Sequence, residues 1–264
     1  MRTGFIWIAI IVAVVGAGAI AAAGLGHRFG VWDLKVAFGI LHHMTSVPGT
    51  SFSFPTAVSI SALGGVLSLV GFVLALVAGP RGLAAPALAA AVLGAGAVAP
   101  LLNMQTQLNA NPFIHDVTTD FADPPQIVAA ADLPRANPPD YLGDESVRKS
   151  DPPTAELQRE AFPDIQPALY EAPTDVVYEA ALRVVQSFGW EVLDADAERG
   201  VIEAADTSLW FGFVDDIIVR VRATETGARV DVRSKSRVGG SDLGVNAARV
   251  RKFLDRLDAE MSAA

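Results

Sequence analysis

At 264 residues, with 51% hydrophobic side chains and a positive mean hydropathy, the chain carries more apolar surface than an ordinary pair of water-soluble domains, so part of it must lie in lipid. A formal charge of −9 sets aside nucleic acid as a partner, because binding its backbone needs clustered cations. Zero cysteines exclude disulfides, thiolate catalysis and Cys-ligated zinc.

Residues 1–102 carry only five charged side chains, Arg2, Arg28, Asp33, Lys35 and Arg81. Three uncharged runs, residues 6–25, 57–78 and 83–102, each match the ~20 residues a helix needs to cross a ~30 Å hydrocarbon core. The first run is read as an uncleaved anchor. Ala19, Ala21 and Ala23 offer small residues of the signal-cleavage type, but a signal core is usually only ~7–15 residues long. Gly79-Pro80-Arg81-Gly82 links the second and third runs so tightly that they must form an antiparallel hairpin. Its predicted small-residue faces are Ser61, Gly65 and Ser68 against Ala87, Ala91 and Ala95, while Pro86 and Pro100 fall near the ends of the third run. No ionisable side chain lies inside the runs, which argues against a transporter or pump.

Arg2 and Arg81 would face one side of the membrane and Arg28 and Lys35 the other, a balanced count. After the third run, however, no Lys or Arg occurs before Arg135, as on a translocated flank. The expectation is a multi-pass protein of the cytoplasmic (inner) membrane, N-terminus inside and C-terminal domain outside. In the first loop, Phe29, Trp32, Val36, Phe38, Ile40 and Leu41 suffice for a short interfacial helix. His42 and His43 are adjacent, so on a helix they diverge by about 100° and do not readily share a metal.

Residues 103–161 are rich in Asn, Gln, Asp and Pro, and Pro124-Pro125, Pro138-Pro139 and Pro152-Pro153 block regular structure. They are expected to form an extended tether. Within it "IHDVTTDFADPP" places His115 and Asp116 close to Asp120 and Asp123, a pattern suited to metal binding or acid/base work, though a solvated loop histidine is the commoner case.

Residues 162–264 read as a folded domain. Thr174 or Asp175 caps a helix to about Phe188, with Val177, Ala181, Leu182 and Val185 on one face and Gly189 as its stop. Residues 190–193 and 200–206 look like strands around a turn. A clearer hairpin joins residues 217–222 and 228–236 through Glu225-Thr226-Gly227. A last helix, residues 241–261, buries Val245, Ala248, Val250, Phe253, Leu254 and Leu257. The predicted fold is thus a three-helix transmembrane region followed by a two-layer α+β domain, with a mainly antiparallel sheet of about four strands and two helices.

Three stretches of this domain bear on chemistry. On the hairpin, Arg220, Arg222, Arg229, Arg233, Lys235 and Arg237 form a basic face opposite an acidic tether; it would be solvated, cover itself with the tether, or receive an anionic lipid or partner. "DTSLWFGFVDD" sets Asp206, Asp215 and Asp216 among Trp210, Phe211 and Phe213, as an acid/base couple or an oxygen-ligated metal would require, although aspartates flanking strands at turns are far commoner. "SKSRVGGSDLGVNAARVRKFL" has a Gly-rich turn before a helix, but Asp242 would cap the free N–H groups and repel phosphate, and the Walker and dinucleotide patterns are absent. Gly239-Gly240 is therefore read as a joint between sheet and helix.

"FPDIQPALY", "GWEVLDADAERGVIEAADTSLWFGFVDDIIVRV" and "DVRSKSRVGGSDLGVNAARVRKF", with "IHDVTTDFADPP" upstream, resemble an uncharacterised bacterial and plastid family, domain of unknown function 1499. The resemblance implies a membrane-associated envelope protein and carries no activity onto these positions. The expected function is that of a noncatalytic envelope membrane protein, needing no cofactor or metal. Its exposed domain would bind a partner protein or anionic lipid through Arg220, Arg222, Arg233, Lys235 and Arg237, with Asn246 and Arg249 on the last helix. The alternative is an envelope glycan or lipid hydrolase using His115, Asp116, Asp206, Asp215 and Asp216.

Overall fold

The computed structural model describes residues 1–42, 44–46 and 53–263; His43 lies outside them. The chain divides into two compact units: Met1–Thr106 with Leu209–Gly212, and Gln107–Ser208 with Phe213–Ala264.

The first unit contains α1 (Arg2–Arg28), α2 (Leu34–His42), a two-stranded ladder of β1 (Met44–Ser46) and β2 (Ser53–Pro55), α3 (Thr56–Ala78) and most of α4 (Ala84–Ala110). α1, α3 and the stretch Arg81–Ala110 are each long and apolar enough to cross a membrane. The loop helix expected after the first span is α2, with Ala37 and Leu41 buried.

Small residues let the helix backbones meet, as expected where lipid tails remove any hydrophobic drive for association. A Cβ on Gly16 would strike the backbone of Ser61, and one on Gly64 the backbone of Ala13. Ser61 and Ser68 are fully buried, and Ser61 Oγ donates to the Gly94 carbonyl at 3.2 Å. On α4 the buried line is Ala87, Ala90 and Gly94, whereas the predicted Ala95 is exposed. The predicted face was off in phase because the contact follows Gly94, where the missing side chain permits the closest approach.

The second unit is built on an antiparallel sheet of six strands, not four: β3 (Asp116–Thr118), β4 (Ala168–Tyr170), β5 (Glu191–Asp196), β6 (Val201–Thr207), β7 (Val214–Ala223) and β8 (Ala228–Ser236). The order is β3-β8-β7-β6-β5, with β4 pairing on β8 beside β3. β3 and β4 are three residues each, too short to show alternation, so the sequence concealed them. α6 (Thr174–Ser187) and α7 (Val245–Ser262) cover one face, and a further short helix, α5 (Thr154–Ala161), precedes them. α7 starts at Val245 rather than residue 241, because Leu243 and Gly244 take left-handed φ values of 60° and 82°.

The core between helices and sheet joins Val177, Ala181, Val184 and Val185 of α6 and Val250, Phe253 and Leu257 of α7 to Ile217, Val219, Val221, Val230 and Val232. The opposite face is covered too. Residues 103–161, expected as an extended tether, instead continue α4 to Ala110, contribute β3 and fold over the sheet as an irregular layer. There Ile127 and Ala130 bury Ile218, and the backbone N–H groups of Ala136 and Asn137 donate to the Arg237 carbonyl. Proline blocks a regular ladder but not burial, provided that side chains satisfy the remaining backbone groups. The domain consequently has three layers: helices, sheet and irregular chain.

Candidate functional site: charge networks on the two faces of the sheet

Strand alternation sends successive residues to opposite faces, and each polar set meets its own partners there. On the face under the irregular layer, Asp116 of β3 lies opposite Lys235 of β8. Arg233 donates to Asp116 from Nε and Nη2, both at 2.9 Å, and Lys235 Nζ does so at 3.0 Å. All three side chains are fully buried. Arg233 also donates to the Pro125 and Pro139 carbonyls and Lys235 to that of Asp140, so proline-rich chain supplies acceptors that a regular strand could not spare. Burial alone would raise the Asp116 pKa, but the Arg233 hydrogen bonds and the two cationic charges hold it below the ordinary carboxylate value. Burial lowers that of Lys235, with Asp116 opposing.

Two further clusters lie on the same face. Asp120 and the fully buried Asp231 together receive Arg220, Arg222 and Arg229, at 2.8–3.4 Å, and Asp123 adds a partner at the rim. Asp216 accepts from Arg237 at 2.7 Å, while Arg135 lies 3.1 Å from its other oxygen as an ion pair outside hydrogen-bond alignment. The basic face of the sequence reading is thus a set of internal ion pairs. Its counter-charges, apart from Asp216 and Asp231, come from residues 116–123, the segment read as a tether.

On the helix face, Arg249 of α7 joins the cross-strand pair Asp206 and Asp215 at 2.9 and 2.8 Å and also reaches Ser234 and Asn246. Asn246 donates to the His115 carbonyl and to Ser236 Oγ, both at 3.1 Å. Only Asp206 keeps substantial exposure here, at 40%. The carboxylates of the hydrolase reading therefore divide between faces: Asp206 and Asp215 on one, Asp116 and Asp216 on the other. The sequence reading also missed Glu203, which accepts from the N–H groups of Val128 and Ala129 at 2.9–3.0 Å, and Gln158, which pairs with both backbone groups of Thr118. The one signal for Glu203 was a carboxylate within a strand facing a proline-rich run with unpaired N–H groups.

At the sheet-to-helix joint, Gly239 has φ +97° and Gly240 lies under the Phe113 ring. Asp242 accepts from the N–H groups of Gly244 and Asn246, each at 2.9 Å, so the helix N-terminus already has its anion. Burial pushes the Asp242 carboxyl up to about 6 against these hydrogen bonds. His115 is 4% exposed, and neither ring nitrogen makes a hydrogen bond. Burial, helped by the Lys235 charge, lowers its pKa below 6.5.

These two groups pull stability in opposite directions with pH. Below pH 6.5 the unfolded chain takes up a proton at residue 115 that the folded domain refuses, so stability falls as pH falls. Between 3.8 and about 6 the folded domain keeps a proton at residue 242 that the unfolded chain releases, so stability falls as pH rises. His115→Leu should leave a urea midpoint that declines with rising pH over that window, and Asp242→Asn one that climbs with pH up to the ordinary histidine value. Emission of Trp190, packed on Phe188 and Phe253, reports the transition; parallel curves for both variants would show that neither group titrates there.

Among the described residues no group of three or more His, Asp or Glu side chains is placed to hold a metal ion. No curated protein matches the chain. A family model described as "Protein of unknown function (DUF1499)" matches residues 116–257, from the first residue of β3 to Leu257 in α7, and so takes in the irregular layer with its acidic partners. That match spans more than half of the sequence, and the chain belongs to this family of unknown function, DUF1499.

Proposed function

We propose that the protein is a noncatalytic multi-pass membrane protein of the cell envelope whose α+β domain binds a partner protein outside the cytoplasmic membrane. The observation that carries this reading is the internal pairing of the charged candidates. Arg220, Arg222, Arg233, Lys235 and Arg237 are neutralised by aspartates of the same domain, and Arg249 bridges Asp206 and Asp215. A buried cation already holding a carboxylate has little left to offer a lipid phosphate, which weights the proposal towards protein over anionic lipid. The absence of Lys and Arg between the third span and Arg135 supports the outward orientation.

One experiment addresses both halves. Lys149 is exposed and the chain has no native cysteine, so Lys149→Cys accepts a membrane-impermeant maleimide carrying a photo-crosslinker on intact spheroplasts. Labelling before lysis and a discrete crosslinked protein are expected; protection until lysis would reverse the orientation, and absence of any crosslink would count against a protein partner. The hydrolase alternative keeps the Asp206 and Asp215 pair as its basis. Turnover of an envelope glycan or lipid that Asp206→Asn abolishes without lowering the urea midpoint would establish it instead.

A further inference from the structure

The membrane unit contains four residues distant from it in sequence. Leu209–Gly212 lie between β6 and β7 but belong with the spans. The Trp210 indole N–H donates to the Ala21 carbonyl of α1 at 3.2 Å, and the ring occupies the space where a Cβ on Gly24 would stand. Arg28 donates to the Leu209 carbonyl at 3.0 Å, and His27 Nδ1 lies 2.8 Å from the Phe211 carbonyl. Phe211 is 7% exposed, with Trp210 edge-on at 4.9 Å and Phe38 of α2 at 5.6 Å. Leu209 instead stands 86% exposed.

Beside this loop is a cavity of about 640 Å³, lined by Ala17 and Ala21 of α1, Val92 and Gly96 of α4, and Leu209 and Trp210. Small residues on both helices leave it concave, and its helical walls belong to spans without a charge at this level. Trp210 closes it one turn before Arg28, the first charge after the apolar run of α1, where an amphipathic indole is expected at the membrane interface. A concave apolar surface at hydrocarbon depth has lipid tails as its solvent, and its volume falls in the range of small-ligand sites, about 300–1,000 Å³.

We propose that this recess binds one acyl chain of a membrane phospholipid, with Leu209 and Trp210 of the β6–β7 loop as its end wall. The loop thereby makes lipid occupancy part of how the membrane unit is completed, independently of any protein partner. Gly96 has nothing within 4 Å of where a Cβ would be, so a larger side chain there enters the recess without displacing backbone.

Full-length protein in nanodiscs of dioleoylphosphatidylcholine, released for native mass spectrometry, should retain one phospholipid per chain after detergent washing. Gly96→Trp should retain at least tenfold less, and Gly96→Ala should match the native chain. A second filling variant, Ala21→Phe, guards against a local misfold of the first; both must keep native hydrogen exchange in β8. A lipid-free native protein would overturn the proposal, as would equal retention in the filled variants, or a dimer whose formation is what the filling variants abolish.

Discussion

Asp116→Ala is expected to unfold the sheet domain, or leave it only marginally folded. Its carboxylate is the shared counter-charge of Arg233 and Lys235, and none of the three side chains touches solvent. Removing one partner of a buried pair costs about 3–5 kcal/mol, because the other charge stays buried uncompensated; here two charges are stranded. Lys235 can shed its proton, being already biased that way by burial, but an arginine stays charged. Against a total domain stability of about 5–15 kcal/mol, that loss is decisive. The double variant Asp116→Ala, Lys235→Met should recover part of it, since one of the two stranded cations is gone. Hydrogen exchange of β8 amides in the full-length protein measures both, and native-like protection in Asp116→Ala would mean that water or a rearranged carboxylate replaces it.

Gly64→Leu in α3 should separate that helix from α1. The backbone of Ala13 occupies the space a side chain would need, so no rotamer change relieves the clash. Overpacking in a core typically costs about 1–3 kcal/mol when side chains can yield, and contact with backbone exceeds that. A cysteine pair reads out the result cleanly in a chain that has no native cysteine. Ile6 and Gly71 face each other across the same two helices, with Gly71's Cβ position 3.8 Å from the Ile6 Cα. Ile6→Cys with Gly71→Cys should crosslink in the native background and fail to do so with Gly64→Leu. Crosslinking at an unchanged rate would show that α1 and α3 are held by other contacts.

How much of this was legible beforehand follows the length over which each pattern repeats. The spans and the β7–β8 hairpin stood out because hydrophobic runs and alternation persist there for many residues. Residues 114–145 did not, because their order comes from single long-range contacts: Asp116 to Arg233, Glu203 to the Val128 and Ala129 amides, Asn137 to the Ser236 carbonyl. Such contacts leave no period in the sequence. The alternation puts the basic residues on one face of the hairpin, but apart from Asp216 and Asp231 their partners, Asp116, Asp120 and Asp123, lie about a hundred positions upstream, so spacing could not show that they were neutralised. The division of the carboxylates between faces was, by contrast, readable in principle: Asp215 and Asp216 are neighbours on one strand and must point apart.

The internal pairing also sets the field that the domain projects. Residues 103–264 hold 16 basic and 28 acidic side chains. Many of the cations sit inside against aspartates, Asp116 and Asp216 each facing two of them, so the surplus negative charge is displayed at the solvent boundary. An approaching molecule therefore senses an anion, which repels the domain from anionic lipid headgroups and draws in positively charged surfaces over about a Debye length, 8–10 Å at physiological ionic strength. Association with any cationic molecule would accordingly be fast in dilute salt and slow as salt is added, while the buried pairs remain indifferent to it.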